Sequence, residues 1–150
     1  VKDQIATWPV KPFLIEPRSD VHAYSQKRAA FQAADVALAA SGTVALELAA
    51  TQTPMVVAYD MGFLSRQIIG RMLKVETVSL VNLITDSKSI PEFIAENCRE
   101  ELITPSVLKV LDDPTGQIQA MQSTMQALGQ NGHPPGERAA QSVIKFLAAQ

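Results

Sequence analysis

Ser41, Gly42 and Thr43 stand in a row, and Glu47 follows four positions after Thr43. Gly42 lets the backbone turn tightly and lets a ligand approach the main chain closely. Thr43 opens a run of good helix formers, Val44 to Ala50. Unpaired backbone N–H groups and the positive end of the helix dipole gather at such a start, and both favour a phosphate. Glu47 shares a helix face with Thr43, one turn deeper. The set offers hydroxyl and amide donors for a diphosphate and a carboxylate for sugar hydroxyls. A plainer reading stands beside it: Ser41 caps the helix, and Glu47 is a solvated surface charge.

These residues need an element on each side of them. Val36 to Ala40 is a short apolar run that reads as a buried strand, and the helix follows the turn. Three more strands are expected. One has Phe13, Leu14 and Ile15 at its centre, within Trp8 to Pro17. Another is Met55 to Tyr59, apolar throughout, as a strand covered on both faces should be. The last is Thr77 to Leu80. Parallel strands are therefore expected at 13–16, 36–40, 55–59 and 77–80. Helices are expected from a cap at Asp20 to about Ala34, and from Phe63 to Lys74, with Gly70 at a packing position.

From Ile90 onward only helices are expected. One starts at Pro91 and runs through Phe93 and Ile94. A second is capped by Thr104 with Pro105 in its first turn, and a third spans Pro114 to Leu128. Gly129 to Gly136 is a clear break. A last helix carries Ala140, Val143, Ile144 and Leu147 at helical spacing. The alternation predicts an α/β fold, a Rossmann-like parallel sheet with flanking helices and an all-helical C-terminal tail. Residues 1–89 read as the sheet-bearing part and 90–150 as a helical part of the same domain. Ligands of such sheets sit beyond the carboxyl ends of the strands. That rule puts Ser41 to Thr43, Tyr59 to Met61, and Asn82 with Leu83 on one rim.

Composition narrows the classes. The chain has 150 residues, 47% hydrophobic and 19% charged, enough for a sizeable core. A net charge of −2 gives no electrostatic footprint for nucleic acid. Cys98 is the only cysteine, so an internal disulfide is excluded and a reducing compartment fits. His22 and His133 have no cysteine partners at zinc spacing, so no metal and no cofactor are expected. No apolar run reaches the length of a membrane span. The chain starts at Val1 without a methionine and reads as a piece of a longer protein.

Three stretches resemble the lipid-A-disaccharide synthases, bacterial glycosyltransferases built from two Rossmann-like domains of the GT-B type. They are Ala-Ser-Gly-Thr-Val-Ala-Leu-Glu at 40–47, Pro-Met-Val-Val-Ala-Tyr at 54–59 and Val-Ser-Leu-Val-Asn-Leu-Ile at 78–84. Lys74-Val75 ahead of the third stretch and Pro91-Glu92-Phe93 after it keep the family order. The resemblance implies transfer of 2,3-diacylglucosamine from its UDP-linked form to 2,3-diacylglucosamine 1-phosphate, with release of UDP, in lipid A biosynthesis. It implies that Ser41, Gly42 and Thr43 face the diphosphate, that Glu47 faces the ribose, and that Tyr59, Asn82, Leu83 and Glu92 line the donor cleft. The acceptor site and the catalytic base are expected in an N-terminal half that this chain lacks, so the chain alone is expected to be inactive. A cytoplasmic location, peripheral at the inner membrane, follows from the acylated substrates, with Phe63, Leu64, Ile68 and Ile69 as a candidate apolar patch.

The chain departs from the family pattern at three places. Asp60 stands where the family often has an arginine, as does Ser87, beside Lys88, and Ala95 stands where it often has a glutamine. Two other classes stay open. One is another UDP-sugar enzyme of the same architecture, a UDP-N-acetylglucosamine 2-epimerase or the transferase of peptidoglycan synthesis. The other is a non-catalytic interaction domain whose helical tail binds a partner chain through an apolar face.

Overall fold

The computed structural model describes residues 2–16, 22–40, 42–60 and 77–148. Three strands form one sheet: β1 (Ala37–Ala39), β2 (Met55–Tyr59) and β3 (Glu92–Ile94), in the order β1-β2-β3. Both pairings are parallel, with Ala37 opposite Met55 and Tyr59 opposite Ile94. Helix α1 is Lys2–Ile5, α2 is Ala23–Ala33 and α3 is Val44–Thr51. Helix α4 is Leu80–Thr85, α5 is Glu100–Asp112, α6 is Thr115–Ala127 and α7 is Pro135–Ala148. A 3-10 turn, Ala95–Asn97, joins β3 to the helices that follow. The α/β class with a parallel sheet and flanking helices is as the sequence predicts.

Burial explains why β2 is central. Met55, Val56 and Val57 are all fully buried, the signature of a strand covered on both faces. Met55 and Val57 join Ala45, Leu48 and Ala49 of α3, Val81 of α4, and Ala120 and Met121 of α6 in one core. Alternation along the strand turns Val56 to the opposite face, and α5 lies against β2. Gln117 fastens α6 to the start of β2. Its amide accepts from Met55 N at 2.8 Å and donates to Met55 O at 2.9 Å, both out of water. Thr53 Oγ1 donates to Phe31 O at 2.7 Å and ties α2 to the loop before β2.

Several expectations need correction. Residues 13–16 form no strand, and Phe13 is 83% exposed. The flanking prolines, Pro12 and Pro17, supply no amide N–H for a ladder, and an apolar triplet without a strand neighbour does not make a sheet edge. Residues 77–79 are not a strand either, and α4 begins at Leu80. The amides of Val78 and Ser79 donate to the Glu92 carboxylate instead of to a neighbouring strand. The place beside β2 belongs to β3, where a helix was expected. Val57 N donates to Pro91 O at 2.9 Å there, so Pro91 opens a strand and not a helix. The helical tail therefore begins after Ile94, not at Ile90.

Helix α5 starts at Glu100, ahead of the expected cap at Thr104, and carries Pro105 inside it. Glu100 and Glu101 in its first turn suit the positive end of the helix dipole. The expected cap Asp20, the residue Ser41 and the expected helix at 63–74 lie outside the described residues. So do Phe63, Leu64, Ile68 and Ile69.

Candidate functional site

The turn after β1 has the backbone its sequence requires. Gly42 has φ +133°, a conformation that side-chain-bearing residues rarely adopt. A Cβ there would meet no atom within 4 Å, so conformation and not crowding demands the glycine. Thr43 follows at φ −63° and ψ −21°, and its carbonyl accepts the amides of Leu46 and Glu47 at 3.1 and 3.2 Å. The Thr43 side chain is exposed and makes no capping hydrogen bond to the helix. Its hydroxyl and the Val44 amide stand at the carboxyl end of β1, while the Ala45 amide donates to Gly42 O at 3.2 Å.

Glu47 lies one turn further along α3. Its Oε2 is 2.6 Å from Lys27 Nζ of α2, and both side chains are about one-third exposed, 36% and 35%. A small cavity of about 120 Å³ opens beside the pair, lined by Tyr24, Arg28, Phe31, Glu47, Ala50 and Thr51 among others. Leu46, the neighbour of Glu47, lines a larger cleft of about 760 Å³, with Met125, Leu128, His133 and Arg138 on its other walls. Gln130 borders both spaces. Tyr59 ends β2 and is partly exposed, so it stands on the same rim of the sheet as Gly42.

Asn82, Leu83 and Glu92 occupy a different setting. Asn82 is 2% exposed. Its Oδ1 accepts from Ile90 N at 2.9 Å, and its Nδ2 donates to Ile90 O at 2.8 Å, Glu92 Oε1 at 3.1 Å and Thr77 Oγ1 at 3.3 Å. Glu92 Oε1 also accepts from Ser79 N at 2.7 Å and from the Thr77 hydroxyl, while Oε2 accepts from Val78 N at 3.0 Å. The polar atoms of both side chains are turned onto the protein's own backbone and onto each other. Leu83 is exposed on α4. The structure therefore brings together Thr43 with Glu47, and Asn82 with Glu92, as two separate pairs.

Lys27, Thr77 and Ser79 were not singled out from the sequence. Lys27 and Glu47 are 20 positions apart, and no local pattern announces such a contact. Among the described residues no group of three His, Cys, Asp or Glu side chains is placed to hold a metal ion. No helix among them is long and apolar enough to cross a membrane.

A three-stranded parallel sheet flanked by helices, with a Gly-Thr turn leading from β1 into α3, defines a partial Rossmann-like α/β unit. The family model described as lipid-A-disaccharide synthetase matches residues 3–145. A lipid-A-disaccharide synthase of Ruegeria pomeroyi is 49% identical over 149 residues, which covers 98% of this chain and 37% of the relative. Another, of Bradyrhizobium diazoefficiens, is 43% identical over 113 residues, 75% of this chain and 27% of the relative. A third, of Nitrobacter hamburgensis, is 36% identical over 152 residues, 99% of this chain and 37% of the relative. The chain belongs to the lipid-A-disaccharide synthetase family. It spans about a third of the length of these curated relatives.

Proposed function

We propose that this chain is the donor-binding part of a lipid-A-disaccharide synthase, a glycosyltransferase of lipid A biosynthesis. The complete enzyme would transfer 2,3-diacylglucosamine from its UDP-linked form to 2,3-diacylglucosamine 1-phosphate and release UDP. The observation that carries the reading is the pairing of Gly42 and Thr43 at the start of α3 with Glu47 one turn behind. The leaving group is a diphosphate. Amides and a hydroxyl fixed at a helix start stabilise the charge that grows on it as the glycosidic bond breaks, without a metal ion. Ser41, Gly42 and Thr43 serve the diphosphate, and Glu47 accepts the ribose hydroxyls. In this reading Tyr59 and Leu83 face the donor from the rim of the sheet, apart from the two cavities beside Leu46 and Glu47. Asn82 and Glu92 serve from behind, by fixing residues 77–79, because their polar atoms are already engaged.

The acceptor site and the general base belong, in this reading, to a part of the enzyme outside this chain. The chain alone forms no disaccharide. The enzyme works in the cytoplasm against the surface of the inner membrane, where its acylated substrates reside. The helical tail supports a second, compatible role in partner contact: Val143, Ile144, Phe146 and Leu147 of α7 are all exposed.

Glu47→Ala tests the reading in a full-length enzyme that carries this chain. Losing a hydrogen bond to a charged group costs about 1.5–3 kcal/mol, so donor affinity should fall roughly ten- to a hundredfold. The melting temperature should hardly move, because a partly exposed ion pair contributes little to stability. Normal donor affinity in a folded mutant would reduce Glu47 to a surface charge.

A further inference from the structure

Lys27 of α2 is held close beside the α3 turn. Its ammonium lies 2.6 Å from Glu47 Oε2. It also lies 5.6 Å from the centre of the Tyr24 ring and 5.9 Å from that of Phe31. Two ring faces and a carboxylate restrict where the ammonium can sit. All three flanking side chains border the small cavity between α2 and α3. A pair this exposed adds little to folding stability, so the consequence of the contact lies in what it does to Glu47.

Two effects follow from the geometry. The first is orientation. With Oε2 held by Lys27, Oε1 keeps its lone pairs for a hydroxyl donor, and the carboxylate does not have to be immobilised when a diol arrives. The second is charge. A bare carboxylate one helical turn from a diphosphate repels it, and opposite charge at 2.6 Å cancels that repulsion. We propose that Lys27 is a positioning residue for nucleotide binding: it fixes the Glu47 carboxylate and neutralises it toward the diphosphate end of the site. The proposal rests on the reading of Glu47 as the ribose acceptor.

The test is calorimetric titration of UDP and, separately, uridine into the chain and into the variants Lys27→Met, Lys27→Arg and Glu47→Ala. Methionine keeps an unbranched stem against the rings and removes the charge. Lys27→Met should weaken UDP binding about two- to fivefold, the scale of a partly exposed ion pair, with an unchanged melting temperature. Uridine, which has no phosphate, should lose less than UDP does, and Lys27→Arg should restore UDP binding. UDP binding in Lys27→Met as tight as in the unmodified chain, or tighter, overturns the proposal while weakened binding in Glu47→Ala leaves the ribose reading intact. Unchanged UDP affinity in Glu47→Ala, or no UDP binding by the unmodified chain, removes both.

Discussion

Asn82 Nδ2 donates to Glu92 Oε1 at 3.1 Å, and this contact joins α4 to the third strand of the sheet. Around it, Glu92 takes the amides of Val78 and Ser79, and Asn82 takes both backbone groups of Ile90. A segment with the composition of a strand is thereby drawn off the sheet and led into a helix.

The network sets a stability prediction. Asn82→Ala strands the N–H and C=O of Ile90, a residue 1% exposed. Each unsatisfied buried group costs about 1–3 kcal/mol, so for the two groups a loss of about 2–6 kcal/mol is expected. Asn82→Asp should be no milder at neutral pH, because it sets a carboxylate against the Glu92 carboxylate and the Ile90 carbonyl. Denaturant unfolding measures both. An aspartate variant of unmodified stability would show that the network does not hold the fold.

What the sequence made legible, and what it did not, follows from how far apart the interacting residues are. The strand at Met55–Tyr59 and the turn from β1 into α3 are local: an apolar run, a glycine and a row of helix formers declare them. The strand Glu92–Ile94 was missed because Pro91 suits a helix start, and nothing nearby shows that β2 offers an open edge to this segment. The apolar runs at 13–16 and 77–80 mimic strands, yet one lacks a neighbour and the other is claimed by the Glu92 carboxylate. The candidate site divides in the same way. Gly42, Thr43 and Glu47 are readable from spacing. The partners of Glu47, Asn82 and Glu92 are not, because Lys27, Ile90 and Ser79 lie 20, 8 and 13 positions away from them in the chain.

A pH-dependent contribution is expected ahead of α6. Thr115 N donates to Asp113 Oδ1 at 3.0 Å. Hydrogen bonds from the Thr115 side chain and then from its backbone hold the Asp113 carboxyl below its ordinary value of 3.8. A carboxyl whose value is lowered in the folded state stabilises the fold above the unfolded value, and that contribution fades as pH falls through the lower folded value. Asp113→Ala should therefore melt earlier than the unmodified chain at pH 7, with the gap closing as the pH drops below 3.8. Thermal melts of both proteins across that range decide it. A gap that persists undiminished in acid would show that the carboxylate charge plays no part.

In the proposed function a nucleotide diphosphate binds at the amino end of α3. Backbone amide shifts of the isotope-labelled chain, followed as UDP is titrated in with a chelator present, locate that binding. Shifts should centre on Gly42, Thr43, Val44 and Glu47, extend to Tyr59, and survive the chelator. Shifts confined to α5, α6 and α7, or binding that vanishes with the chelator, would rule out a metal-free diphosphate site at α3.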